Sequence, residues 1–143
     1  LLTPLTYANV RDFHEGMAAV RVGNWASNKW GFINLKGELI IPPIFEKAFA
    51  FSDGLAKVVL NKEWWFIDKN GTKVIPLSKY TESTSFHDGF CTVHKYEKFY
   101  SDRTSGVIDK TGTEVIPCNL TGLFLHCSDL AYRVKCYKIN GHL

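Results

Sequence analysis

The sequence predicts an all-β chain of tandem three-stranded antiparallel meanders, stacked in a solenoid-like array. Three observations carry this expectation. A hairpin signature occurs three times, at Lys29 to Pro42, Glu63 to Pro76 and Thr104 to Pro117. A second recurring element, aromatic-x-acid-Gly followed by a short apolar run, precedes each hairpin. The two elements keep step: Val20, Val58 and Val93 recur at intervals of 38 and 35 positions, a period typical of repeat architectures.

Each unit opens on the second element: Phe13-His14-Glu15-Gly16, Phe51-Ser52-Asp53-Gly54 and Phe86-His87-Asp88-Gly89, with a weaker fourth at Cys127-Ser128-Asp129-Leu130. The acid-Gly pair makes a turn and a strand follows. On that strand Ala18 and Val20, Ala56 and Val58, and Cys91 and Val93 share one face. Ala19, Lys57, Thr92 and Arg133 face away, which predicts a half-exposed strand. The hairpin comes next. Phe32-Ile33, Phe66-Ile67 and Val107-Ile108 are β-favouring pairs. Asn34, Asp68 and Asp109 begin its turns, where their side chains can accept an N–H two residues on. Gly37, Gly71 and Gly112 close the turns in a left-handed conformation. The last strand ends at Pro42, Pro76 or Pro117, because proline gives the ladder no donor. Trp30 and Trp64 occupy equivalent positions and are expected in the core. The links between units, such as Ile44 to Phe51, are read as irregular. One three-stranded meander cannot bury its apolar face alone, whereas stacked neighbours can.

Lys29-Trp30-Gly31-Phe32-Ile33, with Phe13-x-Glu15-Gly16 before it and Ile41-Pro42-Pro43 after it, resembles the WG (KWG) repeat family. The resemblance covers one domain over residues 1–143: a partial repeat at 1–12, repeats at about 13–50, 51–85 and 86–126, and a partial repeat at 127–143. The sequence departs from the pattern in places. Trp65 stands where Gly is usual, Ser105 where Trp is usual, and Leu130 where Gly is usual. The resemblance implies a mostly bacterial repeat module and an architecture, with no enzymatic activity attached to it. A partial propeller with each meander as a blade is the rival arrangement, but three and a fraction blades do not close a ring.

Composition narrows the function. The 143 residues are 45% hydrophobic and 22% charged, with 14% aromatics, values of a globular domain with a sizeable core. A net charge of +3, with Lys and Arg scattered, lacks the concentrated basic footprint of a nucleic-acid binder. No apolar stretch is long enough for a membrane helix. The chain begins Leu1-Leu2-Thr3-Pro4, which is expected of a fragment or processed form and leaves the compartment open between the cytoplasm and a cell-envelope or secreted location.

Chemistry-bearing residues are present but do not converge. Cys91, Cys118, Cys127 and Cys136 form no C-x-x-C, so a zinc ribbon is disfavoured. Reduced, partly buried thiols are the expected state, and disulfide pairing stays open. His14 and His87 recur in the acid-Gly turn and are read as turn residues. His94, His126 and His142 show no metal-binding spacing, and Cys91 and His94 point to opposite faces of one strand. Phosphate-loop and nucleophile-elbow motifs are missing. The sequence therefore predicts no catalytic residues, metal or cofactor.

The expectation for function is a non-enzymatic interaction or scaffold module that binds a protein or a cell-surface component. A carbohydrate-binding module is the alternative. A hydrolase stands last, with only unclustered His, Cys and Asp behind it. Candidate binding residues are aromatics outside the periodic core: Trp25, Phe99 and Tyr100 on loops that vary in length between units, and Trp65, which alternation points opposite to Trp64.

Overall fold

The computed structural model describes residues 7–23, 28–96, 98, 103–121 and 130–141. Its contacts divide the chain into two compact units, Leu1–Pro76 and Leu77–Leu143. The first holds β1 (Tyr7–Val10), β2 (Met17–Val22), β3 (Lys29–Asn34) and β4 (Leu39–Phe45), hydrogen-bonded in that order, and β5 (Lys47–Ala48), β6 (Ala56–Leu60), β7 (Glu63–Ile67) and β8 (Lys73–Pro76) in a second sheet. The second unit holds β9 (Glu82–Ser83), β10 (Phe90–Lys95), β11 (Thr104–Asp109) and β12 (Glu114–Thr121), followed by a helix, α1 (Leu130–Asn140). All pairing is antiparallel.

Each sheet therefore has four strands. The meander of three is present, and the link before it adds a short edge strand: β1, β5 or β9. The links read as irregular from sequence are partly ordered by this pairing, as in Lys47↔Val59 and Ala48↔Val58.

Turn chemistry fixes the register. Glu15, Asp53 and Asp88 have φ of 53°, 55° and 51°, and the glycine after each is also left-handed. Two successive left-handed residues make the two-residue turn whose twist suits a hairpin. It is closed by reciprocal N–H···O bonds between His14 and Met17, Ser52 and Leu55, and His87 and Phe90. The other turn works through its first residue. Asn34 Oδ1 accepts the N–H of Lys36 and Glu38, and Asp68 Oδ1 accepts those of Asn70 and Thr72. Asp109 Oδ1 does the same for Thr111 and Thr113. Gly37, Gly71 and Gly112 close these turns at φ of 78°, 83° and 84°.

The expected core residues Val20, Val58, Val93, Ile33, Ile67, Ile108, Ile41, Ile75 and Ile116 are all buried. In the first unit one face of the first sheet (Met17, Ala19, Trp30, Phe32) packs on Ala56, Val58 and Ile67 of the second. The opposite face of the first sheet gathers Ala18, Val20 and Ile33 against Tyr7 and Leu39. The strands after the acid-Gly turn are thus not half-exposed throughout: Ala19 and Thr92 are buried, Ala19 in the core between the first two sheets. Lys57 remains partly exposed, as its charge requires.

Two of the three prolines do not end their strands. β4 runs through Pro42 and Pro43 to Phe45, and β12 runs through Pro117. They are tolerated in bulges. Trp30 pairs with Phe45 and Phe32 with Ile41, so residues 42–44 arch over Gly31 and the missing N–H costs no ladder bond. A Cβ on Gly31 would collide with the Ile41 carbonyl, and one on Gly106 would lie 2.6 Å from Cys118 Cα. In the second sheet Trp65 takes the place of that glycine. Trp65 pairs directly with Pro76, no arch forms, and β8 stops there.

Of the segment expected to start another repeat, Cys127-Ser128-Asp129 lies outside the described residues, and the part from Leu130 departs more sharply. Leu130–Asn140 is helical. Leu130 replaces the turn glycine, so the second left-handed position has no suitable residue. Val134 and Tyr137, three apart on α1, instead pack on Val107 and Ile116 beside Phe90 and Val115.

Across the first unit, Glu15 of the first acid-Gly turn reaches the second. Its carboxylate accepts the Asp53 N–H at 2.6 Å and the Gly54 N–H at 2.9 Å. Lys69 donates to the Glu15 carbonyl at 2.9 Å and lies 3.6 Å from the carboxylate.

Three stability tests follow from this. Gly71→Val forces a β-branched residue into φ of 83°, with its Cβ 3.1 Å from Ile41 Cγ2, and is expected to cost more than about 1 kcal/mol in urea unfolding. Lys62→Gly, at φ of 65°, relieves a left-handed lysine and is expected to raise the urea midpoint. Glu15→Asn keeps a residue tolerant of positive φ but withdraws the carboxylate from the second turn. It is expected to cost about 1–2 kcal/mol, a charged hydrogen bond discounted for exposure, measured by the same unfolding.

Candidate functional site

In the first unit, one face of the second sheet carries Lys47, Phe49, Lys57, Val59, Trp64 and Phe66. The register produces this grouping. Lys57 pairs with Phe66, Val59 with Trp64 and with Lys47, and the Phe49 N–H bonds to the Lys57 carbonyl. Trp64 was expected in the core with Trp30. Trp30 is 8% exposed but Trp64 is 36% exposed. Its ring stacks on Phe49 with centroids 5.9 Å apart. Lys57 Nζ lies 5.1 Å from the Phe49 centroid and 5.3 Å from that of Trp64, and Lys47 Nζ lies 5.9 Å from Trp64. Arg11 extends the row, with its guanidinium 4.6 Å from the Trp30 ring and 5.5 Å from Phe49. The result is an aromatic platform edged by three cations. Among the described residues, Arg11 and Lys47 form no ion pair with a carboxylate.

Trp65, named from sequence as a binding aromatic, points the other way. It is half-buried and packs against the core between the two sheets. Lys73 Nζ lies 4.8 Å over its ring, and among the described residues its buried Nε1 has no hydrogen-bond acceptor. Trp25, Phe99 and Tyr100 lie outside the described residues. Sequence reasoning missed Trp64, although a signal existed. Lys57 stands where Ala19 stands in the first unit, and strand alternation puts Lys57 and Trp64 on one face. Lys57 and Trp64 mark the part of that face that water reaches, while Val59 and Phe66 beside them are buried.

The second unit holds a buried polar cluster where Ser105 replaces the repeat tryptophan. His94 pairs with Ser105 across β10 and β11. Its Nδ1 lies 2.8 Å from Ser105 Oγ, and its Nε2 lies 3.3 Å from an Arg103 nitrogen. Arginine can only donate, so Nε2 accepts and Nδ1 carries the proton. The N–H therefore faces the serine hydroxyl. A general base needs its lone pair there, so this pair does not activate Ser105. Its chemistry is that of a polar plug filling the space of an indole. Nearby, Cys91 and Cys118 are buried, and burial pushes the Cys118 thiol up, away from reactive thiolate. Among the described residues no group of three or more His, Cys, Asp and Glu side chains could hold a metal ion.

A family model for a WG-containing repeat matches residues 1–24, 30–64, 66–99 and 106–124, and the chain belongs to that family. Three of the four matched segments begin within β3, β7 and β11. No curated protein and no solved structure matches the chain.

His94 gives a test of the polar plug. Burial, and next the Arg103 guanidinium, hold its pKa below the ordinary 6.5, with Glu82 opposing. Between the lowered folded value and 6.5 the unfolded chain binds a proton that the folded chain does not. Stability is therefore expected to fall as pH drops below about 6.5 and to level off once the folded histidine is protonated. Urea midpoints at pH 7.5 and 5.5 should show the loss, and His94→Gln should flatten it.

Proposed function

We propose that this chain is a non-enzymatic interaction module, a solenoid-like stack of WG repeats that binds an acidic segment of a partner protein across the Phe49–Trp64 face. The observation that carries this reading is the exposed Trp64 ring, stacked on Phe49, with Lys47 and Lys57 over it and Arg11 over Phe49. Exposed aromatic and arginine side chains anchor interfaces more than their share of area suggests. The cations choose the sign of the partner, because they give a carboxylate-rich segment both steering and contact. A sugar ring would also stack on an indole, but the groups beside this platform are cations rather than the amides and carboxylates that would pair with several hydroxyls. The pair His94–Ser105 lacks the lone pair that hydrolysis needs, which supports the non-enzymatic reading.

The test is a titration followed by tryptophan fluorescence. The probe is a peptide of alternating Glu and Asp around one Tyr, run beside a Gln/Asn version and a soluble xylo-oligosaccharide. Saturable binding of the acidic peptide that weakens with salt is expected. Trp64→Ala should weaken it about tenfold or more, as should Lys47→Glu with Lys57→Glu, while thermal melts hold. Equal affinity of the variants would overturn the placement of the surface. Quenching by the sugar but not the peptide would make this a carbohydrate-binding module.

A further inference from the structure

In the first unit the two sheets meet in one arrangement. Phe32 and Ile41 of the first sheet receive Phe51, Val58 and Ile67 of the second, with the Phe32 and Phe51 rings edge to face at 4.9 Å. The third sheet has the same receiving face. Repeat register puts Val107 at the place of Phe32 and Ile116 at that of Ile41. The pairing agrees: Phe32 pairs with Ala19 and Ile41, and Val107 with Thr92 and Ile116. The element seated on this face is α1. Val134, 2% exposed, and Tyr137 pack on Val107 and Ile116, with Phe90 beside them. The helix thus stands on the third sheet where the next repeat stands on the first.

The receiving face of the third sheet is also poorer in apolar area. Thr92 stands where Ala19 stands on the first sheet, and Ser105 where Trp30 stands. Loss of the indole takes away a large apolar surface that a further repeat would bury. Thr92 is 1% exposed, and among the described residues its Oγ1 has no hydrogen-bond partner, a cost that alanine avoids. What is left is a strip of Phe90, Val107 and Ile116, which one side of a helix covers. The other side of α1 presents Lys135, Lys138 and Asn140 to solvent, with Tyr132 and Ile139 the apolar exceptions. A stack of repeats needs a cover that is apolar inward and polar outward wherever stacking stops.

We infer that α1 is an intramolecular cap. It occupies the face of the third sheet on which a further WG repeat would stack, and it closes that face to the sheet of a second copy. The cover is made by Val134 and Tyr137, whatever sequence adjoins the helix. The cap is separate from the Phe49–Trp64 surface and does not rest on that reading.

The test places an aspartate on either side of α1 in the full chain. Val134→Asp puts a carboxylate into the covered face. Ile139→Asp, at a site 72% exposed, makes the same kind of change on the outer side. Amide hydrogen exchange is expected to show protection over α1 falling about tenfold or more in Val134→Asp, the scale of a damaged core contact, and holding in Ile139→Asp. Sedimentation velocity is expected to show Val134→Asp self-associating with rising concentration beyond the parent and beyond Ile139→Asp, because two uncovered faces can cover each other. A peptide of residues 130–141 with the parent sequence should reverse that association, and its Val134→Asp version should not. Unchanged protection of α1 in Val134→Asp overturns the packing on which the cap depends. Lost protection without added association overturns the cap, and so does association that the parent peptide leaves intact. If Val134→Asp does not fold, Tyr137→Ala, which uncovers the face at one point, is read by the same three outcomes.

Discussion

The arch of backbone over Gly31 is the contact on which the first sheet depends. A third strand that carries two prolines could not pair along its whole length. By lifting residues 42–44 off the ladder it keeps Ile41 opposite Phe32 and returns Phe45 to Trp30. That return is possible only if the strand beneath has no Cβ at the crossing, because the Ile41 carbonyl and the Pro42–Pro43 backbone occupy its space. The tryptophan and the glycine of the repeat motif thus do different work. The indole fills the layer between sheets, and the glycine lets the next strand cross. Gly106 repeats the second job in the third sheet without the first, since Ser105 and His94 fill the indole's place with hydrogen bonds.

Much of the fold was legible because it is written in local chemistry. Left-handed turns need glycine at fixed places, and β-branched residues recur on the buried side of each strand, so turns and core could be read one unit at a time. What escaped was non-local. The edge strands β1, β5 and β9 have no periodic signature of their own and exist because a neighbouring strand offers free hydrogen-bonding groups. The proline arches were hidden because proline normally ends pairing, and only the combination with a glycine on the adjacent strand permits it to continue. The helix α1 was read as a strand by analogy with earlier units, although its missing turn glycine had already removed the reason for that analogy.

The candidate surface was half legible for a similar reason. Repetition placed Trp30 and Trp64 at one position and suggested one fate for both. Equivalent positions share a direction, not an environment. The ring of Trp30 meets the core between the first two sheets, while that of Trp64 meets Phe49 and lysines. Its neighbour Trp65 took the opposite fate, drawn into the core by alternation once the crossing glycine was lost. A reading by repeat register alone therefore chose the wrong member of the Trp64-Trp65 pair to be solvent-facing.

The clamp from Glu15 to Asp53 has a consequence for the order in which the first unit assembles. Within each sheet every strand pairs with its neighbour in sequence, so the ladders close short loops and form early. The Glu15 bonds span 38 and 39 residues, and they need both turns to be set before either can form. Contacts of that separation are expected to form after the folding barrier, so losing them should speed unfolding and leave the folding rate little changed; this one carboxylate would then set how long the two sheets stay together rather than how quickly they meet.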